Sequence, residues 1–143
     1  MSGSAIADAI ITMLSATSCI GTGAVSKDYK VLETTTGSCA VVNWLGMNEK
    51  SVAFGNPADK EILWTHSILG FVKAGGDVSE TYQRVLDFPD KVVTTLRSDD
   101  TLQGTVTEVK AIRAKRDPEL GATAGGTLWF PVFFEVDSIE WPD

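Results

Sequence analysis

His66 is the single histidine of the chain, so any serine–histidine or cysteine–histidine mechanism would have to run through it. It falls between Trp64 and Ile68 on one face of a strand pattern, and no serine or cysteine sits in a nucleophile-elbow context. The expected role is therefore a packed or interfacial histidine, dispensable for chemistry, and His66→Gln should leave fold and assembly largely intact. Cys19 and Cys39 form no C-x-x-C pair and belong to no larger cysteine set, which leaves zinc and redox motifs nothing to build on. They read as ordinary, partly buried thiols in a reducing compartment. With these few ligands and no D-x-D-x-D-G loop, no metal is expected.

Two glycine-rich stretches resemble phosphate loops only superficially. Gly21-Thr22-Gly23-Ala24-Val25-Ser26-Lys27 lacks the G-x-x-x-x-G-K-[ST] spacing and follows a helix pattern, whereas the backbone cradle needs a strand-to-helix turn. Gly121-Ala122-Thr123-Ala124-Gly125-Gly126 lacks G-x-G-x-x-G and opens no helix. No cofactor is expected from either, and no catalytic constellation emerges elsewhere. Asp87, Asp90, Asp99 and Asp100 read as helix-end and turn residues.

Charge is concentrated in one place. Lys110, Arg113, Lys115 and Arg116 put four of the twelve basic residues within seven positions, followed by Asp117 and Glu119. One reading is a solvated strand end; the other is a contact surface for an acidic partner, helped by the adjoining loop. Trp44, Trp64, Trp129 and Trp141 all fall on or near strand patterns, where tryptophan is usually core. Trp141 lies near the end of the sequence, and an intersubunit contact is the reasonable use of its bulk.

These residues must be positioned by a chain of 143 residues carrying twelve Lys plus Arg against nineteen Asp plus Glu, a net charge of -7. An apolar content of 43% excludes general disorder, and this length supports one core, hence a single domain over 1–143. The acidic balance argues against general affinity for nucleic acid or anionic lipid. No run approaches the roughly twenty apolar residues of a membrane span. Residues 1–17 lack the basic start and compact apolar run of a signal peptide, so an intracellular soluble chain is expected.

Ile6, Ile10, Met13 and Leu14 recur at i, i+4, i+7 and i+8, predicting a helix over 4–15 with Ser4 as its N-cap. From Tyr29 the period changes to two, and strands are expected through 29–45, turning at Gly37-Ser38, with the apolar part from Cys39 to Leu45 central. Residues 46–60 read as loop with a possible short strand at 51–54, and 61–73 as a long strand. Asp77-Val78-Ser79-Glu80 is a capping box opening a helical region over 77–97, its stripe made by Val78, Tyr82, Val85 and Leu86 and, further on, Val92, Val93 and Leu96. Pro89 should stop or kink it. Strands over about 105–114 and 128–140 follow, separated by an irregular stretch, 117–127. Pro131 argues for an edge or a bulge in the last strand. The sum is an α+β fold: a mostly antiparallel sheet with an N-terminal helix and a central, proline-interrupted helix packed on it.

So ordered, the chain resembles the small neck proteins of long-tailed bacteriophages, in particular tail terminator proteins. The likeness covers nearly the whole length. It rests on the helix 4–15, the strands through 29–45 and 61–73, the helix opened by Asp77-Val78-Ser79-Glu80, and the closing strand Trp129-Phe130-Pro131-Val132-Phe133-Phe134-Glu135-Val136-Asp137. The resemblance implies a structural virion protein made in the host cytoplasm. Such a protein forms a ring, usually hexameric, that stops tail-tube growth and joins tail tube protein to head-connector protein while DNA passes without specific binding. It implies no catalysis. In that setting Lys110, Arg113, Lys115, Arg116, Glu119 and Trp141 become the candidate subunit or partner interface, the cations facing a neighbour rather than the DNA channel. Other readings are another neck or tail-completion protein, a small monomeric α+β domain binding a ligand beside His66 and Trp64, and, behind these, an enzyme.

Overall fold

The structure, a computed structural model, describes residues 3–16, 25–27, 38–51, 60–73, 78–115, 122–124 and 127–141. The first apolar stripe makes helix α1, Gly3–Ser15, which buries Ile6, Ala7, Ala9, Ile10, Met13 and Leu14. Its outer side is polar, with Thr12 and Ser15 donating to the carbonyls of Asp8 and Ile11 four residues back. Since the helix already includes Gly3, Ser4 is not the N-cap; its hydroxyl instead accepts from Lys27 Nζ at 3.3 Å.

The strands are β1 (Val25–Ser26), β2 (Cys39–Ser51), β3 (Lys60–Lys73), β4 (Glu108–Lys115), β5 (Ala122–Ala124) and β6 (Thr127–Glu140). They form one sheet in the order β1-β2-β3-β6-β4, with β5 also pairing β6. Every pairing is antiparallel except that of β1 with β2. The expected strand 61–73 is there as β3 and the expected 128–140 as β6. The expected strand 29–45 is present from Cys39 onward, and residues 28–37 lie outside the described residues.

Three expectations are corrected. Residues 46–51 are not loop: β2 continues through them to Ser51, held by register with 60–65 of β3 after a bulge between Trp44 and Gly46. The strand expected from 105 begins at Glu108, because the chain first closes a compact turn. There Asp99 accepts from Thr101 N, Thr101 Oγ1 and Gln103 N, while Leu102, Gln103 and Gly104 all take positive φ and Leu102 is buried. Those bonds, led by the Thr101 hydroxyl, hold the Asp99 carboxyl below its usual range. Within 117–127, Ala122–Ala124 forms β5. Although β6 as a whole is central, the edge expected at Pro131 is found at that point: the proline faces Phe71 of β3, but on its other side the first residue of β5, Ala122, lies opposite Trp129 and the last of β4, Lys115, opposite Phe133. Among the described residues the sheet is locally an edge at the one position that lacks an N–H.

The second helix, α2 (Val78–Arg97), runs continuously with Pro89 inside it, where a break was expected. Proline deprives the Val85 carbonyl of its helical donor. Packing holds the helix across the gap: Val85, Phe88, Val92 and Leu96 are all buried, and the Phe88 ring meets Phe134 of β6 at 6.0 Å. Leu86, assigned to the stripe, is instead exposed, and Phe88 takes its place. Val78 and Tyr82 lie outside the described side chains.

Both helices cover the same face of the sheet. Gly70 of β3 lies under Phe88, so close that a Cβ there would overlap the ring, and His66, two pleats away on the same face, touches Gly3 of α1. Ile68, Val72, Val132, Phe134 and Val136 complete this buried layer with Val42 of β2. On the other face Cys39 is fully buried; burial without a partner charge pushes its thiol up to about 11, so it is an inert thiol. Cys19 lies outside the described residues. No described helix is long and apolar enough to cross a membrane.

Candidate functional site

The cationic cluster is mostly satisfied within its own sheet. Register sets Arg113 of β4 opposite Glu135 of β6, with Asp137 on the diagonal. Its Nη2 donates to Glu135 Oε2 at 2.7 Å and its Nη1 to Asp137 Oδ2 at 2.7 Å. These bonds, Asp137 first, raise the guanidinium further above its already high ordinary value, so it stays charged at every accessible pH. Asp137 also accepts from the Thr65 hydroxyl at 3.1 Å, extending the network onto β3. Lys110, beside the bulge between Val109 and Ala111, pairs with Glu108 at 3.0 Å. Lys115 is exposed at the end of β4. Arg116 and Glu119 lie outside the described residues. The structure thus brings Lys110, Arg113 and Lys115 onto one edge strand, but commits two of the three to carboxylates of the same chain.

His66 is fully buried. Its Nε2 lies 2.9 Å from the Gly3 carbonyl oxygen, which can only accept, so Nε2 carries the proton and donates it. Nδ1 finds no hydrogen-bond partner among the described residues. Burial lowers the imidazole's pKa, and the bond to Gly3 only partly offsets that. This is a neutral tether between sheet and helix, and among the described residues no nucleophile is hydrogen-bonded to it. Its full burial and the bond to Gly3 mean that a replacement must fill the same space and reach the same carbonyl. No set of three or more metal-capable side chains gathers among the described residues.

The conspicuous exposed groups are apolar. Trp44 is 56% exposed, Leu45 55%, Met47 50% and Trp141 55%. Trp44 and Met47 of β2 pair with His66 and Trp64 of β3, which places them on the helix-bearing face. There they line an open groove of about 540 Å³ with Trp64, Val42, Ala7 and Lys27. Lys27 is itself bound to Asp8 at 2.8 Å. Trp64, buried, donates its indole N–H to Glu140 at 3.0 Å.

Trp141 lies just beyond β6. Its backbone N–H donates to Thr107 Oγ1 at 3.1 Å and its indole N–H reaches Glu61 at 3.4 Å. Glu61 has the opposite parity to Trp64 along β3, so this indole is on the reverse of the sheet from the groove.

Sequence reasoning singled out Trp141 but assigned Trp44 to the core and Met47 to a loop. A signal was available: Glu49-Lys50 and Lys60-Glu61 are mirror-image charge pairs. They face each other in the structure as Lys50–Glu61 at 3.6 Å and Lys60–Glu49 at 3.7 Å. Opposite charges set across from each other favour antiparallel pairing. The sequence matches no protein-family model, and no curated protein proves similar to it.

Proposed function

We propose that this chain is a structural subunit of a tailed-bacteriophage neck: a tail terminator that forms a ring, usually of six copies, caps the tail tube and joins it to the head connector. The observation that carries the reading is the half-exposure of Trp44, Leu45, Met47 and Trp141 toward one end of the sheet. Large apolar side chains grouped at the surface mark places where another surface belongs. The net charge of -7 suits a ring around a DNA passage, since acidic groups repel the duplex over about a Debye length, near 8 Å at physiological salt. Nothing in this role calls for catalysis, a metal or a cofactor. The end of β4 at Lys115, followed by Arg116, faces a neighbouring protein in this reading, while Arg113 stabilises the strand that presents them.

Light scattering after size exclusion, with electron microscopy of the same fraction, tests it. Rings of a fixed multiple of the 15.3 kDa chain are expected. A monomer at every concentration would overturn it. The groove at Trp44, Met47 and Trp64 favours one other reading, a small monomeric α+β ligand-binding domain, to which a monomer that takes up an apolar ligand would point.

A further inference from the structure

We propose that His66 makes the seating of α1 acid-sensitive: when the imidazole takes up a second proton, the end of the helix from Gly3 to Ala5 unwinds from the sheet and lets water reach the side chain. The proposal stands apart from the phage-neck reading.

The site is built for a neutral imidazole. His66 is fully buried, its Nε2 donates to the Gly3 carbonyl at the start of α1, and its Nδ1 has no acceptor among the described residues. A proton placed on Nδ1 is therefore a buried donor without a bond and a buried charge without a counter-ion. No described neighbour supplies one. The same row of the sheet holds Trp44 of β2 and Val136 of β6, and the same face of β3 holds Ile68 and Trp64, whose ring centroid is 6.5 Å away. The buried side of α2 is Val85, Phe88, Val92 and Leu96. Acids on the surrounding elements are engaged elsewhere: Asp8 of α1 with Lys27, and Glu140 of β6 with the Trp64 indole. Glu135 and Asp137 of β6 bind Arg113 on the reverse face, and Glu49 and Glu61 pair with Lys60 and Lys50 where β2 ends and β3 begins. The positive end of the α1 dipole lies against the imidazole and disfavours the cation further.

Between strand and helix end, the helix end yields. β3 is paired along both edges, by β2 and by β6. Ser4 is exposed and Gly3 and Ala5 are half-buried, whereas the buried anchors of α1 begin only at Ile6 and Ala7. Unwinding therefore frees the imidazole by breaking one turn of helix, with little apolar burial lost, at the place where helices open most readily. The change also reaches the groove, because Gly3 and Ser4 form part of its wall beside Trp44. In acid the groove loses that wall.

The test follows the full chain by NMR and by amide exchange from about pH 7.5 to about pH 5, across the range in which a histidine titrates. A single histidine makes the imidazole signals unambiguous, and the Nε2–H tautomer should be seen at neutral pH. The amides of Ala7, Asp8 and Ala9 report the unwinding, since in an α-helix they bond the carbonyls of Gly3, Ser4 and Ala5. Their opening constant should rise about tenfold for each pH unit below about 6.5, where a freed imidazole titrates, and level off once the seated one titrates as well. Amides of β3 should stay protected. In His66→Gln the same opening should no longer depend on pH over this range, whatever its level. A wild-type opening constant that is flat with pH overturns the proposal, and that measurement needs no variant to fold. An equal rise in His66→Gln overturns it too, because other groups would then drive the unwinding.

Discussion

The middle of the sheet and one of its ends are built from similar residues and meet opposite fates. In the middle Val42, Ile68, Phe134 and Val136 are essentially inaccessible; from the row of Trp44 outward along β2, Trp44, Leu45 and Met47 are half in solvent. Length explains the difference. Helix α1, with thirteen residues, spans about 20 Å, whereas β3, with fourteen, spans about 46 Å. Its first residue already sits over His66 and Trp44, so the strands outrun it. Beyond that point Trp64 on β3 is still buried, but Leu45 and Met47 on the neighbouring strand are left half in solvent. Side-chain type alone therefore does not decide what is core here; the reach of the covering helix does.

The contrast is sharpest for Phe88 in the covered region. Phe88→Ala should destabilise the chain by about 3–5 kcal/mol, because the ring fills the space over Gly70 and meets Phe134. Denaturant unfolding measures this, and a loss below about 1 kcal/mol would show that the helix is not anchored there.

His66 marks the border between the two regions. Replacing it with Gln should cost about 1–2 kcal/mol, since a buried hydrogen bond to Gly3 is lost or bent. It should also change the pH dependence. The folded imidazole titrates below the unfolded value of about 6.5. The unfolded state therefore binds its proton first as pH drops, so stability is complete above that value and falls toward the folded pKa. In the His66→Gln protein this fall between neutral and mildly acid pH should flatten, and an unchanged profile would mean that other groups govern it.

In the uncovered region, Trp44→Ser should shift unfolding by no more than about 0.5 kcal/mol, as expected for an exposed surface site. Its effect should be on association, read by sedimentation. The smallest change is expected at Arg113: its ion pairs are exposed, so Arg113→Ala should leave the unfolding midpoint nearly in place and any effect should vanish in high salt.

Much of this fold was legible in residue spacing, and the failures have specific causes. The Ile6, Ile10, Met13, Leu14 stripe points to α1, and period-two patterns, apolar on both parities in β3, point to β3 and β6 almost to the residue. Residues 46–51 were misread because Gly46 and Asn48 are poor strand formers; pairing with β3 overrides that local preference. Pro89 reads as a stop or a kink because the local cost of proline is visible and the packing of Phe88 and Val92 against the sheet is not. The start of β4 was displaced by the Asp99 turn, whose left-handed Leu102 and Gln103 carry no glycine signal. Of the candidate site, Trp141 and the cations could be picked out by type. The groove could not, since it exists only where α1 crosses β2, and helix and strand are far apart in sequence.

The central place of β6 has a consequence for how the protein is made. It is the last described strand, yet it separates β3 from β4 and also holds β5. Until a ribosome has translated through residue 140, β3 has no partner on that side and β4 no described partner at all. The nascent chain therefore carries an open, apolar strand edge, a template for wrong pairing between chains. Sheet closure has to wait for the final segment and proceeds through contacts distant in sequence, which makes slow folding and a need for chaperones during synthesis the natural companions of this topology.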